Sequence, residues 1–424
     1  MLSCNFRNIN IQAMPKRWSK ILLSLLAAPV LFSACKKQYS SDNPLTPTYS
    51  PSIIINSDNQ VLYALNPVTG VKNWQYSLEA PFPGTSVTFQ PSPLVYHNRV
   101  YIAGCQPYGG VSDTLYKLNS STGAIVAKFS FPTSSSSPVF NIQSTPVADG
   151  NLIYFSATND TLYAIDTGTG AIKWDVYAGA EMISSPVIAN GMVYCATTAG
   201  VVFALDKTLG PAATSGNWIC NLPAASFYSS PAVSAPYLYI GSVADSNMYC
   251  IPLTDYSGSG VVSPHWSYKT QGAIYSSPAA LDGVCIFGST DFNVYCLDTF
   301  LQGANTSPGA RWVTPTGSEV RSSPVLVNNV VYIGSYDYFL YALNIINGTT
   351  KWSYKTNALI KSSPLVYGGL VYIGSYDKNI YALDTALGTP RWNFNTNGQI
   401  ECSPAAEDLS GINQNNSQIS GFTN

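Results

Sequence analysis

The chain has two histidines, His97 and His265, in separate repeat units. A zinc site or a Ser–His nucleophile pair needs imidazoles converging on one atom. These two supply neither and read as surface loop residues. Its cysteines include no adjacent Cys-Cys pair and no Cys-x-x-Cys-His run for haem attachment. Cys195, Cys250, Cys285 and Cys296 stand at apolar or small strand positions, and Cys402 stands where other units have Ser. Such thiols behave as small buried hydrophobes. Seven cysteines follow Cys35, and that odd count, with the in-strand positions, predicts that most stay reduced. Asp291, Asp337 and Asp377 recur at equivalent places and read as turn formers rather than metal ligands. Ser257-Gly258-Ser259-Gly260 has no following Lys and no helix pattern, so it reads as a linker and not a phosphate loop. No catalytic residue, metal site or cofactor is expected.

The elements that carry these residues repeat. Ser323 to Trp352 reads SPVLVNNVVYIGSYDYFLYALNIINGTTKW, and Ser363 to Trp392 reads SPLVYGGLVYIGSYDKNIYALDTALGTPRW, starting 40 residues later. A period near 40 with strand patterning and one Trp per unit is the mark of a propeller blade. A Ser-Pro or Thr-Pro pair ends at Pro93, Pro146, Pro186, Pro231, Pro278, Pro324, Pro364 and Pro404. Trp74, Trp174, Trp218, Trp266, Trp312, Trp352 and Trp392 close seven units as structural residues, and one unit has Ala127 at that place. That blade is expected to pack differently on its outer strand. The Ala of Tyr-Ala-Leu-Asp is small because its strand is buried on both faces.

The N-terminal unit starts at Ile53-Ile54-Ile55, a second strand with no first. The C-terminal unit holds only Cys402 to Ala406, a first strand with no second. Joined, they make one blade. The predicted fold is all-β: a single eight-bladed β-propeller of four-stranded antiparallel blades, closed by pairing the C-terminal strand with the N-terminal blade. The propeller covers residues 51–407, and 408–424 form a polar tail.

The residues Val371-Tyr372-Ile373-Gly374-Ser375, Tyr381-Ala382-Leu383-Asp384, Gly388 and Trp392, with counterparts in most units, resemble the PQQ-like (quinoprotein-type) repeat family. Among its members the architecture is most similar to the BamB-like outer-membrane assembly lipoproteins. The resemblance spans about residues 53–407. It implies either a pyrroloquinoline-quinone dehydrogenase or a non-enzymatic scaffold. It also implies that the axial region beside the first strands is where a cofactor would sit. Just before each Ser-Pro, one position is always apolar: Phe89, Ile142, Met182, Phe227, Ile274, Val320, Ile360 and Ile400. Its neighbour varies: Gln90, Gln143, Ile183, Tyr228, Tyr275, Arg321, Lys361 and Glu401. Alternation of this kind packs one register between blades and turns the other to the central funnel. The variable set is the candidate binding ring. A quinone dehydrogenase needs a hard-oxygen cation site and a carboxylate base, yet this ring offers one carboxylate beside two cations.

The first 35 residues carry Arg7, Lys16, Arg17 and Lys20 and no acid, then an apolar run from Ile21 to Phe32, then Ser33-Ala34-Cys35. This is a secretory signal too short to span a bilayer. It resembles a lipoprotein signal (1–34), with Cys35 lipidated and 35–50 a flexible tether; Met14 is an alternative start. Removing 1–34 leaves 16 basic and 22 acidic residues, which excludes nucleic acid as a partner by charge. The expected protein is exported and monomeric, an outer-membrane lipoprotein facing the periplasm or the surface. Its leading function is a non-enzymatic scaffold that binds protein partners, in outer-membrane protein assembly. The alternative is a glycan- or small-ligand-binding surface lipoprotein using Tyr228 and Tyr275 as stacking platforms.

Overall fold

In the computed structural model, the described residues are 51–77, 91–104, 114–131, 141–255, 258–281, 283–299 and 308–406. The signal, Cys35, the tether, Gln90 and the tail after Ala406 lie outside them. The described strands are all antiparallel and form eight sheets, each in simple sequence order from the axis outward. Seven sheets have four strands and the N-terminal one has three. Blades 1 to 8 are numbered from that N-terminal sheet along the chain.

Blade 8 shows why the sequence folds this way. Its strands are Leu365–Tyr367, Leu370–Gly374, Asn379–Asp384 and Pro390–Asn395. The middle two are almost wholly buried because a neighbouring blade covers each face, so both registers are apolar. The outer strand alternates: Trp392 and Phe394 point inward, while Arg391, Asn393 and Asn395 are exposed. Tyr372, Ala382 and Trp392 lie in one cross-strand row. A larger residue than Ala would separate the rings of Tyr372 and Trp392, whose centroids are 5.7 Å apart.

The Ser-Ser-Pro triplets do two jobs. The first hydroxyl satisfies a backbone N–H inside the blade: Ser276, Ser322 and Ser362 accept from Gly288, Gly334 and Gly374 at 3.1–3.3 Å. The second hydroxyl reaches the neighbouring blade. Farther out, the Trp rings link blades. Trp352 donates its indole N–H to the Thr385 carbonyl at 3.0 Å and lies against Gly388. Gly388 has φ +68°, and an added Cβ would sit 2.5 Å from the Trp352 ring. Trp174, Trp312 and Trp392 cover Gly210, Gly348 and Gly70 in the same way.

Blade 2 departs from this pattern as expected, and the structure shows how. Lys117 stands across the strands from Ala127, where other blades pair a small residue with Trp. Its Nζ donates to the Thr167 carbonyl at 2.6 Å, the place that Trp indoles reach elsewhere. Phe129, two residues beyond Ala127, covers Gly170. One Lys and one Phe thus divide the work of the missing Trp.

The ring closes where the two chain ends meet. Ile54 N–H donates to the Ala405 carbonyl at 2.7 Å, and Ala405 N–H returns to Ile54 at 2.8 Å. Ile54, Ala405 and Ala406 are buried. The missing first strand of blade 1 is therefore a single bridge contributed by the C-terminal segment, and eight blades result.

The repeated aspartates are turn formers with a second role. Asp337 accepts from its own hairpin at Phe339 N–H (3.0 Å), from Tyr341 OH (2.7 Å), and from Gly317 N–H of the preceding blade (2.7 Å). Asp291 and Asp377 repeat this bridge with Gln271 and Asn357. We expect Asp337→Ala to lose about 1–3 kcal/mol, since the half-buried Tyr341 hydroxyl and a turn N–H lose their acceptor together. Asp337→Asn should lose less because its amide oxygen still accepts. Urea midpoints of the two variants decide between this bridge and a merely local turn.

The Gly-rich segment differs from the expected linker. Gly260 and Val262 bond both backbone groups of Ile219 at 2.9 Å, so the segment joins the outer edge of blade 4 and covers a strand that would otherwise be an open template. The six described cysteines, Cys195, Cys220, Cys250, Cys285, Cys296 and Cys402, are free and buried. Burial raises the Cys220 and Cys296 thiols to about 11 and about 12, so neither is a thiolate near neutrality.

Candidate functional site

The chain's antiparallel order puts the segment before each Ser-Pro at one end of the axis. The always-apolar register packs between blades as expected: Ile142, Met182, Phe227, Ile274, Val320, Ile360 and Ile400 are buried. The variable register is more open. Gln143, Ile183, Tyr275, Arg321, Lys361 and Glu401 are half-buried, and Tyr228 is exposed.

Neighbours in this register touch across blade boundaries. Tyr228 meets Tyr275 edge-on, with centroids 5.7 Å apart and planes at 68°. The Arg321 guanidinium lies 4.3 Å from the Tyr275 centroid and 5.4 Å from that of Tyr336. Its Nε donates to Glu319 at 2.7 Å. Lys361 donates to Glu401 at 2.6 Å, and the Tyr376 hydroxyl donates to the other oxygen of the same carboxylate. Blades 5 to 7 therefore carry one aromatic and ionic cluster and blades 8 and 1 a second, together an arc along one side. Gln143 and Ile183 give the opposite side no charge. Because Arg321 occupies a face of Tyr275, Tyr228 is the more open ring.

Sequence reasoning missed Glu319, Tyr336, Tyr376 and Asp58. The last three share one structural position: Tyr336 and Tyr376 in Gly-Ser-Tyr-Asp, and Asp58 in Asn-Ser-Asp-Asn. That position was legible as a hairpin joint, but its direction toward the axis was not.

Burial pushes the Glu401 carboxyl up, yet the hydrogen bonds from Lys361 and Tyr376 and the Lys361 charge outweigh it. The carboxyl is left below its ordinary 4.5. Nearby Asp58 moves the other way: burial and the Glu401 charge raise it, against Lys361. A carboxyl whose folded pKa is depressed contributes stability above its unfolded pKa and loses it as pH falls through the folded one. The melting-temperature gap between wild type and Glu401→Gln should therefore be constant near neutrality and close as pH falls below about 4.5. Thermal melts of both proteins from pH 7 to pH 3 test this; a gap that widens in acid contradicts it.

Below the arc lies a second ring. Ser92, Thr145, Ser185, Ser230, Ser277, Ser323, Ser363 and Ser403 line an axial cavity of about 110 Å³. Seven of these hydroxyls accept a backbone N–H from the preceding blade at 2.9–3.0 Å: those of Ser185, Ser230, Ser277, Ser323, Ser363, Ser403 and Ser92. The Ser-Pro pairs served only as landmarks in the sequence. Their spacing gave no sign that they stitch the blades together around the axis.

This donor set does not fit a quinone with a divalent cation. Glu319 and Glu401 are each already paired with a cationic side chain. Among the described residues, no three His, Cys, Asp or Glu side chains gather to hold a metal. The histidines are far from such a role: His97 is an exposed turn residue stacked on Tyr96, and His265 stacks on Tyr237.

Comparison with known proteins agrees with this architecture. The family model described as "Outer membrane protein assembly factor BamB" matches residues 35–159, 111–213 and 305–412. A curated protein of that description from Moranella endobia (strain PCIT) is 31% identical over 77 residues, which is 18% of this chain and 19% of the relative. The aligned stretch thus spans about a fifth of that relative's length. Among solved structures, BamB from Moraxella catarrhalis superposes with a TM-score of 0.57 at 16% identity, covering 77% of this chain and 98% of that one. A europium-containing methanol dehydrogenase gives 0.56 at 13% identity, covering 76% and 81%. At these identities the structural matches speak to fold alone. The sequence match, which extends over more than half of the chain, carries the assignment: the protein belongs to the PQQ-like β-propeller family that the BamB model describes.

Proposed function

We propose that this protein is a non-enzymatic, lipid-anchored scaffold that binds protein partners at the outer membrane and takes part in outer-membrane protein assembly. The family match over more than half of the chain carries this reading. The funnel chemistry supports it. Both cations at the mouth are committed to carboxylates, and the axis beneath is narrow and lined by hydroxyls engaged in holding the blades together. Such a mouth presents a rigid, half-aromatic surface rather than a reaction chamber, and propeller loops vary freely on a fixed frame. In this reading residues 1–34 direct export, Cys35 carries the lipid, and 35–50 is a tether reaching roughly 50 Å at full stretch. Residues 51–407 are the monomeric propeller, and the ring from Gln90 to Glu401 faces the partner.

Affinity purification of the full chain from detergent-solubilised membranes tests the proposal. The expected result is near-stoichiometric recovery of an outer-membrane barrel or one of its assembly components. Recovery should fall when Cys35→Ala releases the chain from the membrane. Recovery of no membrane protein, or dye reduction by the chain given quinone, Ca²⁺ and an alcohol or sugar, would overturn it.

A further inference from the structure

We propose that a polar cavity on the flank of blades 4 and 5 is a binding site for a neutral polyhydroxylated ligand, a sugar unit that is free or at the end of a glycan chain. The cavity has a volume of about 560 Å³, within the size range of small-ligand sites. It is built by the connections between the first and second strands and between the third and fourth strands. In an antiparallel blade these lie at the opposite end from the funnel mouth.

Tyr194 points to a ligand. Three of its five tyrosine equivalents, Tyr154, Tyr332 and Tyr372, donate their hydroxyl to a backbone carbonyl of the next blade, at 2.8–3.1 Å. Tyr194 is 1% exposed and has no such bond; its side chain lines the cavity instead. In those blades the Trp indole shares the same carbonyl, whereas here Trp218 alone holds it, that of Leu253, at 2.9 Å. Its hydroxyl opens on the cavity, where the oxygen of a ligand hydroxyl can accept from it. Burial alone raises this phenol to about 12, so it is a neutral donor.

The remaining lining fits a sugar better than an ion. Met192 and Leu253 supply apolar surface, while Thr214, Ser215, Thr254 and Ser259 supply hydroxyls. No Lys, Arg or His lines it, so an anion has no counter-charge. Its one carboxylate, Asp255, accepts the N–H groups of Gly258 and Gly260 and holds its own loop. A sugar ring combines an apolar face with a hydroxyl rim, as this lining does. The walls are fixed, because Gly260 and Val262 are bonded to Ile219 on the edge of blade 4.

The test is calorimetry and saturation-transfer NMR on the full chain in a detergent without a sugar headgroup. The probes are glucose, galactose, N-acetylglucosamine and their β-linked disaccharides. At least one is expected to bind with a Kd of about 1 mM or tighter. Tyr194→Phe keeps the packed ring and should weaken binding about tenfold. Ser215→Trp, at an exposed loop position, should abolish binding while leaving the melting temperature unchanged. Tyr228→Ala at the funnel should have no effect. Equal affinity for monosaccharide and disaccharide marks a free sugar as the ligand, and tighter binding of the disaccharide marks a glycan end. The proposal is overturned if no probe binds, if both cavity variants bind as wild type does, or if only Tyr228→Ala removes binding.

Discussion

Ending the chain after Asn397 should leave no stable propeller, whereas ending it after Asp408 should change the melting temperature by only about 1–2 °C. The first truncation removes the segment that completes blade 1. Ile54 loses both of its backbone bonds to Ala405, and each buried group left dry costs about 1–3 kcal/mol. Ile400, Cys402, Ala405 and Ala406 leave the cluster they form with Ile53, Ile55, Leu65 and Tyr372 and the neighbouring one. Burying the Ile400 side chain alone is worth about 1.5–3 kcal/mol. The Ser403–Ser92 link and the Lys361–Glu401 pair disappear as well. These losses rival the roughly 5–15 kcal/mol by which folded domains are stable. They also open a sheet edge inside the ring, so aggregation should accompany the loss. Thermal melts and size-exclusion profiles of the two truncations provide the measurement. If both melt as the full chain does, the closing bridge carries no weight and the ring is held by its other seven blade contacts.

The closing strand was legible because two incomplete repeats at the chain ends complement each other, and a strand without its partner has a definite physical need. The same logic made the buried register of Ile142 to Ile400 readable: a position that is apolar in every unit has one environment in every unit. The variable register was readable as a repeated position but not as a network. Nothing in one unit's sequence says that Arg321 will lie over Tyr275 of the preceding blade while holding Glu319, because these contacts depend on rotamers chosen between blades. Asp58 and Tyr376 were hidden for a related reason. They occupy one structural position, but a carboxylate and a phenol do not look alike in a repeat alignment. The hydroxyl ring was hidden in plain sight. Ser-Pro repeats so regularly that it served as punctuation, although its regularity is what a closed ring of inter-blade bonds requires. That Tyr194 turns its hydroxyl to a cavity is visible only by comparison with the bonds that three of its equivalents make.

Blade 2 offers the sharpest test of how far the repeat rules can be exchanged. Lys117→Ala should destabilise the chain by about 2–3 kcal/mol: the Thr167 carbonyl loses its donor, and the lysine stem no longer fills the half-buried space over Tyr101. Ala127→Trp alone should also destabilise, by about 1–3 kcal/mol, because the indole would compete with Lys117 across the strand and with Phe129 over Gly170. Blade 3 shows what a Trp blade has at the same three places: Ala164, Trp174 and Val176, with Val176 opposite Leu162 as Phe129 is opposite Leu115. Lys117→Ala, Ala127→Trp and Phe129→Val together rebuild that arrangement. The new indole N–H can take the Thr167 carbonyl, and its ring can cover Gly170. The triple variant should return to within about 1 kcal/mol of wild type, although its single changes sum to a large loss; such non-additivity is the signature of residues that share one space. Urea midpoints for the singles, the three doubles and the triple measure it. If the triple variant is as unstable as the sum of its parts, Lys117 and Phe129 do not stand in for a tryptophan, and blade 2 is held by some other contact.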